Sequence, residues 1–180
     1  MRLALYEHPD GVEVPAGRRV VYSVERNEAF LGAASVDGHA LRWELGEKED
    51  AGARLCAEVA PDPARPWLLR CDRVDFPLGG VAHLHTHPGP GIRCLLTGTI
   101  RIESEGRSTS YGPMEPWFES GPEPVFAAAS GEEETAFVRV LLLPREWAGR
   151  RTIRYVDPED EAKPKMQRAT VFLDEPIELW

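Results

Sequence analysis

Apolar and polar positions alternate in short runs along most of the chain, the period of half-buried β-strands. The runs predict strands at 19–24, 29–36, 40–45, 54–59, 67–76, 81–87, 92–96, 99–103 and 136–143. Asp37-Gly38 predicts a hairpin turn, because both residues tolerate positive φ. A loop containing Gly46 and Gly52 precedes the fourth strand, and 60–66, with three prolines, reads as a connector. No helical pattern interrupts the series, which points to an all-β sandwich or barrel with little helix. Residues 1–145 read as one domain. Residues 146–180 differ: 145–154 is basic, 157–161 is acidic, and 170–173 can add a strand. That extension packs on the barrel, crosses to a partner subunit, or is a solvated tail with one docked strand.

Composition narrows the class. The 180 residues can enclose a core of their own, and 16 Gly with 16 Pro suit many short strands. A net charge of −9 offers no general attraction for nucleic acid or an anionic membrane, and neither is expected as a partner. No apolar run approaches the roughly 18 residues of a membrane-spanning helix. The N-terminus lacks the pattern of a signal peptide. Three widely spaced cysteines, Cys56, Cys71 and Cys94, fit a reducing cytoplasm better than a disulfide framework.

Candidate chemistry concentrates at residues 79–91, GGVAHLHTHPGPG. In a regular strand His83, His85 and His87 share one face, away from Leu84 and Thr86. Three of the five histidines thus stand in a row. Neutral imidazoles ligate Fe, Zn, Ni or Cu, so the three are metal-ligand candidates. Same-face neighbours lie roughly 6.6–7 Å apart along a strand. Two can share one ion, and the third then serves in the outer shell or on substrate. Exposure to solvent, or burial against backbone carbonyls, is the purely structural alternative.

The spacing Gly79, five residues, His85-x-His87, three residues, Gly91, six residues, Gly98 resembles the first motif of the cupins, G-x5-H-x-H-x3-4-E-x6-G. The resemblance covers about 67–143. It implies a jelly-roll β-barrel, or double-stranded β-helix, with one divalent transition metal (Fe, Zn, Ni or Mn) in the barrel, and a homodimer. Two of the family's ligands are missing. Its glutamate falls on Gly91, and the stretch 112–126, where the second motif belongs, has no histidine. Phe126 stands where the last histidine is expected. Either the site is rebuilt, with His83 and a carboxylate such as Glu119, or the metal is lost. Arg93, two residues beyond Gly91, falls on the face of the missing glutamate and can hold a substrate carboxylate, or else face solvent or pair with a neighbouring strand. Arg93, Glu119 and Phe126 are therefore the substrate-binding candidates. Trp117, Phe118 and Phe126 line an apolar pocket or belong to the core.

Two functions follow. One is a metal-dependent enzyme on a small anionic or aromatic metabolite, dioxygenase being the commonest implied chemistry, with decarboxylase, isomerase and lyase close behind. The other is a non-catalytic module that holds a small molecule or senses it. Fold does not decide between them.

Overall fold

The computed structural model describes residues 1–47 and 51–179, so the loop expected around Gly46 and Gly52 lies partly outside the described residues. Seven strands come first: β1 (Arg2–His8), β2 (Val12–Val14), β3 (Arg19–Ser23), β4 (Glu28–Leu31), β5 (Ala34–Val36), β6 (Ala40–Gly46) and β7 (Leu55–Glu58). Five of them form an antiparallel sheet in the order β4-β3-β6-β1-β7, while β2 and β5 make a separate ribbon. Asp37-Gly38 consequently does not close a hairpin. It carries the chain from β5 in the ribbon to β6 in the sheet, with Gly38 at φ +78°. The strand expected over 29–36 is broken at Gly32, whose φ of +79° turns β4 away from β5.

Eight consecutive strands build the barrel: β8 (Trp67–Phe76), β9 (Val81–Thr86), β10 (Gly91–Thr97), β11 (Ile100–Ser104), β12 (Arg107–Tyr111), β13 (Pro116–Glu119), β14 (Val125–Ala129) and β15 (Thr135–Pro144). They fall into two facing sheets, β13-β10-β15-β8 and β12-β11-β14-β9. Counted along the eight, the orders are 6-3-8-1 and 5-4-7-2, the pairing of a jelly roll. The last two strands extend both sheets. β16 (Arg154–Tyr155) joins β9, and β17 (Arg168–Ile177) runs along the whole of β8. Residues 146–179 therefore pack on their own barrel in this structure.

Strand alternation divides the core. The odd residues Trp67, Leu69 and Cys71 of β8 face the N-terminal sheet with Val138, Val140 and Leu142 of β15, and meet Leu5, Tyr22 and Trp43 there. Val74 and Phe76 face the barrel interior with Leu95, Trp117 and Phe137. Each such side chain contributes about 1.5–3 kcal/mol when fully buried. The first sheet is therefore covered on both faces, which explains its nearly continuous apolar runs. β12 is mostly exposed, with only Tyr111 half-buried, so its apolar signal is too weak for the sequence to reveal it.

Candidate functional site

One end of the barrel interior is apolar and the other is charged. Along β8 the inward residues run Arg70, Asp72, Val74, Phe76, and along antiparallel β15 Phe137 lies opposite Val74 and Arg139 opposite Asp72. The cavity they line has a volume of about 390 Å³. His85, His87 and Glu119 stand on its wall with Trp117.

The histidine strand departs from regular alternation. His85 of β9 pairs with Val125 and Ala82 pairs with Ala127, so three steps on β9 match two on β14. This is a β-bulge, and bulges re-aim side chains. Ala82 and His85 both face the cavity as a result. His83 is half-buried and does not line the cavity. The expectation that His83 shares a face with His85 and His87 is thus corrected by one extra residue in the strand.

The other two histidines are brought together. Both are 4% exposed, and their rings meet edge to face with centroids 4.9 Å apart. His85 Nδ1 lies 2.7 Å from the His83 carbonyl and His87 Nδ1 lies 3.2 Å from the Thr152 carbonyl. A carbonyl only accepts, so in the neutral ring each Nδ1 carries the proton and each Nε2 keeps its lone pair. Burial lowers the pKa of His85, and burial, then Arg139 and Arg93, holds His87 well below the ordinary value of 6.5.

This burial predicts a pH dependence. In the unfolded chain the imidazoles protonate near 6.5, whereas in the folded chain they resist. Between those values the unfolded state binds more protons, so stability present above pH 6.5 is lost as the pH falls below it. Melting curves of chelator-treated protein should drop in Tm between pH 7.5 and 5. His85→Gln/His87→Gln should flatten that drop, and an equal drop in the double variant would assign it to other groups.

Glu119 stands across the sheet from the position of the absent glutamate. In the β10–β13 ladder Gly91 lies directly opposite Glu119. A Cβ at Gly91 would fall 2.5 Å from both the Val140 carbonyl oxygen and Leu141 Cδ2, so the backbone has no room for a ligand there. Glu119 Oε1 accepts from Trp117 Nε1 at 2.8 Å, and Oε2 lies 3.5 Å from His87 Nε2. Arg93 NH2 approaches Oε2 at 2.6 Å as an ion pair without hydrogen-bond alignment, which leaves Oε2 buried and without a hydrogen bond.

Arg93 realises the alternative to substrate binding: it pairs with a carboxylate on the neighbouring strand, Glu119 of β13. Its side chain is fully buried, donates to the Gly91 carbonyl at 2.6 Å, and stands behind Glu119 rather than on the cavity wall. Burial pulls its pKa down to about 10, so it remains a cation at neutral pH. Phe126 also leaves the substrate-binding set. Val125 and Ala127 take the inward positions of β14, and Phe126 faces Arg101 on the outside. Trp117 lines the cavity, while Phe118 packs toward the N-terminal sheet.

Sequence reasoning missed Arg70, Asp72, Arg139 and Thr152. Arg139 pairs with Asp72 through Nε at 2.6 Å and NH2 at 3.2 Å, both nearly buried. The signal was present: charged residues inside otherwise apolar strand runs are seldom buried unless paired. In all, Arg70, Arg139, Arg150, Arg151 and Lys165 line the cavity against Asp72, Glu119 and Asp174. A chain of net charge −9 thus turns a cationic excess inward.

The donor types are those of a divalent transition metal site: two neutral imidazoles with free Nε2 atoms, and a buried carboxylate whose Oε2 is ion-paired with Arg93 but accepts no hydrogen bond. Among the described residues no three His, Cys, Asp or Glu side chains stand close enough together to hold a metal ion. His85 and His87 are the ready pair, and Glu119 is engaged by Trp117 and Arg93.

The sequence matches no family model and no curated protein. Several solved structures are similar in part. An RmlC-like cupin from Shewanella frigidimarina is 14% identical, with a TM-score of 0.40 over 44% of this chain and 69% of that one. A DMSP lyase from Ruegeria pomeroyi is 20% identical, with a TM-score of 0.44 over 51% of this chain and 45% of that one. A mutant salicylate 1,2-dioxygenase from Pseudoaminobacter salicylatoxidans, in complex with gentisate, is 8% identical, with a TM-score of 0.44 over 94% and 68%. The order of the eight strands identifies the fold on its own evidence as a jelly-roll barrel, with His85-x-His87 at the end of its second strand.

Proposed function

We propose that the protein is a metal-dependent enzyme of the cupin type, acting in its barrel on a small anionic or aromatic metabolite, with dioxygenase-like chemistry the first to test. The observation that carries this reading is the His85–His87 pair. Each ring has its Nδ1 on a carbonyl and its Nε2 lone pair free, beside the Glu119 carboxylate that Arg93 also holds. In this reading His85 and His87 hold the ion through Nε2, and Glu119 supplies the carboxylate of a two-histidine, one-carboxylate set. Bound there, the metal supplies a Lewis acid with open positions for substrate, water or dioxygen.

The chain's own residues divide the remaining work. Trp117, Phe137 and Phe76 take the apolar body of the substrate and exclude water. The cations of the cavity wall favour a negative charge on its other end. Arg139 is fixed by Asp72, so a carboxylate beside it meets a guanidinium that is already oriented.

Gently purified protein is expected to carry near-stoichiometric metal, and His85→Ala to lose both the metal and any turnover. Elemental analysis reads the first, and oxygen uptake with a panel of aromatic and aliphatic acids reads the second. Absence of metal, with none taken up on titration, sinks the enzymatic reading. It would favour a non-catalytic small-molecule binder, which the engagement of Glu119 by Arg93 supports. A homodimer belongs to the same proposal. β17 is the outer strand of its sheet and exposes Val171, and such edges pair readily. Sedimentation equilibrium should give twice the chain mass; the mass of one chain removes the dimer.

A further inference from the structure

After β15 the chain makes a 3-10 turn at Arg145–Trp147 and crosses the charged end of the cavity before it joins the second sheet as β16. The first part of this strap is tied to the barrel by a nearly buried ion pair, and Thr152 is held further along by Arg139 NH2, which donates to its Oγ1 at 3.4 Å. Arg70, on β8, is 3% exposed. Its NH1 donates to the Arg150 carbonyl at 2.7 Å and its NH2 to the Trp147 carbonyl at 2.9 Å. Its Nε and NH2 also donate to Asp174, on β17, at 3.0 and 2.7 Å. Asp174 in turn accepts the Gly149 amide at 2.6 Å. Two strands of the first sheet thus hold three backbone groups of the strap.

The strap has one consequence for the histidines. It carries Thr152, whose carbonyl receives His87 Nδ1, whereas His85 is fixed by a carbonyl of its own strand. Two acceptors therefore compete for the single ring proton of neutral His87. The Thr152 carbonyl draws it to Nδ1, and Glu119 Oε2, 3.5 Å from Nε2, draws it to Nε2. With the proton on Nε2 the ring has no lone pair to offer the cavity.

We propose that Arg70 and Asp174 are positioning residues for the site: by clamping the strap they keep the Thr152 carbonyl on His87 and so hold that ring as the Nδ1–H tautomer. The inference rests on reading His85 and His87 as the working pair. It differs from a role in stability alone because it singles out one of two adjacent histidines.

The test is a long-range ¹H–¹⁵N correlation spectrum of the imidazoles in chelator-treated protein at pH 8, where both rings are neutral. The parent protein should show both rings as Nδ1–H. In Asp174→Ala, His87 should move to Nε2–H or to a mixture while His85 stays unchanged. Trypsin cleavage after Arg150 or Arg151 should accelerate about tenfold as the strap loosens. Thr152→Ser keeps the carbonyl and a hydroxyl for Arg139, and should keep the tautomer. If Asp174→Ala does not fold, Asp174→Asn, which preserves shape and loses charge, should give the same selective change in smaller degree. An unchanged His87 in the folded variant overturns the proposal, as does a parallel change in His85. Because the spectra are recorded without metal, failure of the metal reading leaves this result standing, and failure here leaves metal retention untouched.

Discussion

Gly91→Glu should cost the barrel about 3 kcal/mol or more, instead of completing a metal site. The substitution restores the carboxylate that the first motif would have at this position, so a purely pattern-based view expects a gain. The backbone forbids it. The Cβ alone would lie 2.5 Å from the Val140 carbonyl oxygen, which belongs to the adjacent strand and is fixed in the ladder, and 2.5 Å from Leu141 Cδ2. Arg93 NH1 lies 3.2 Å from the same point while it donates to the Gly91 carbonyl. Gly91→Ala meets the same first clash, so it should already lose much of the stability. For a domain of this size, about 3 kcal/mol lowers Tm by roughly 6–12 °C. Differential scanning calorimetry of Gly91→Ala and Gly91→Glu measures both. A Gly91→Glu protein that melts with the parent and binds metal more tightly would show that Glu119 is not the replacement carboxylate.

The same pair of residues shows what the sequence could and could not disclose. The His-x-His spacing and the glycine at the glutamate position are legible, and the resemblance they carry implies the jelly roll; of the eight barrel strands the pattern shows β8 to β11 and β15 but not β12, β13 or β14. Glu119 is a named candidate in the sequence, but the sequence does not place it opposite Gly91. Its importance comes from register: β13 pairs with β10 so that Glu119 faces Gly91, and strand pairing is a non-local fact that no local pattern encodes. His83 failed for a related reason. Period-2 alternation is a rule for regular strands, and a single bulge between Ala82 and His85 shifts the phase. Arg93 was placed on the right face but in the wrong depth, because alternation gives direction and not distance from solvent. The sequence marks the strap only as part of an extension that packs on the barrel, crosses to a partner or is a solvated tail. Its role depends on Arg70 and Asp174, which are 104 residues apart in sequence.

Arg93→Met should be strongly destabilising without metal and markedly rescued by it. Arg93 is fully buried, and at a pKa of about 10 it is charged at neutral pH. Its removal leaves the Glu119 carboxylate, 11% exposed, without its cation. Breaking one side of a buried pair costs about 3–5 kcal/mol, much of it the penalty on the charge left behind. Adding Glu119→Gln removes that charge, so the double variant should recover much of the loss. A divalent cation held by His85 and His87 can neutralise the same carboxylate. On the proposed metal reading Arg93 and the ion compete for Glu119, and removing the arginine shifts that competition toward the ion. Zinc at about 100 times its Kd stabilises a folded protein by about 2.7 kcal/mol. The Tm gain with zinc should be larger in Arg93→Met than in the parent, and should shrink when Glu119→Gln or His87→Ala is added. Equal gains in the parent and in Arg93→Met would mean that the ion does not use Glu119. The arginine that occupies the place of a missing ligand would then be a partner of the carboxylate and nothing more. If the gains differ as expected, Arg93 sets how much of the carboxylate's charge the metal receives, and with it the Lewis acidity of the centre.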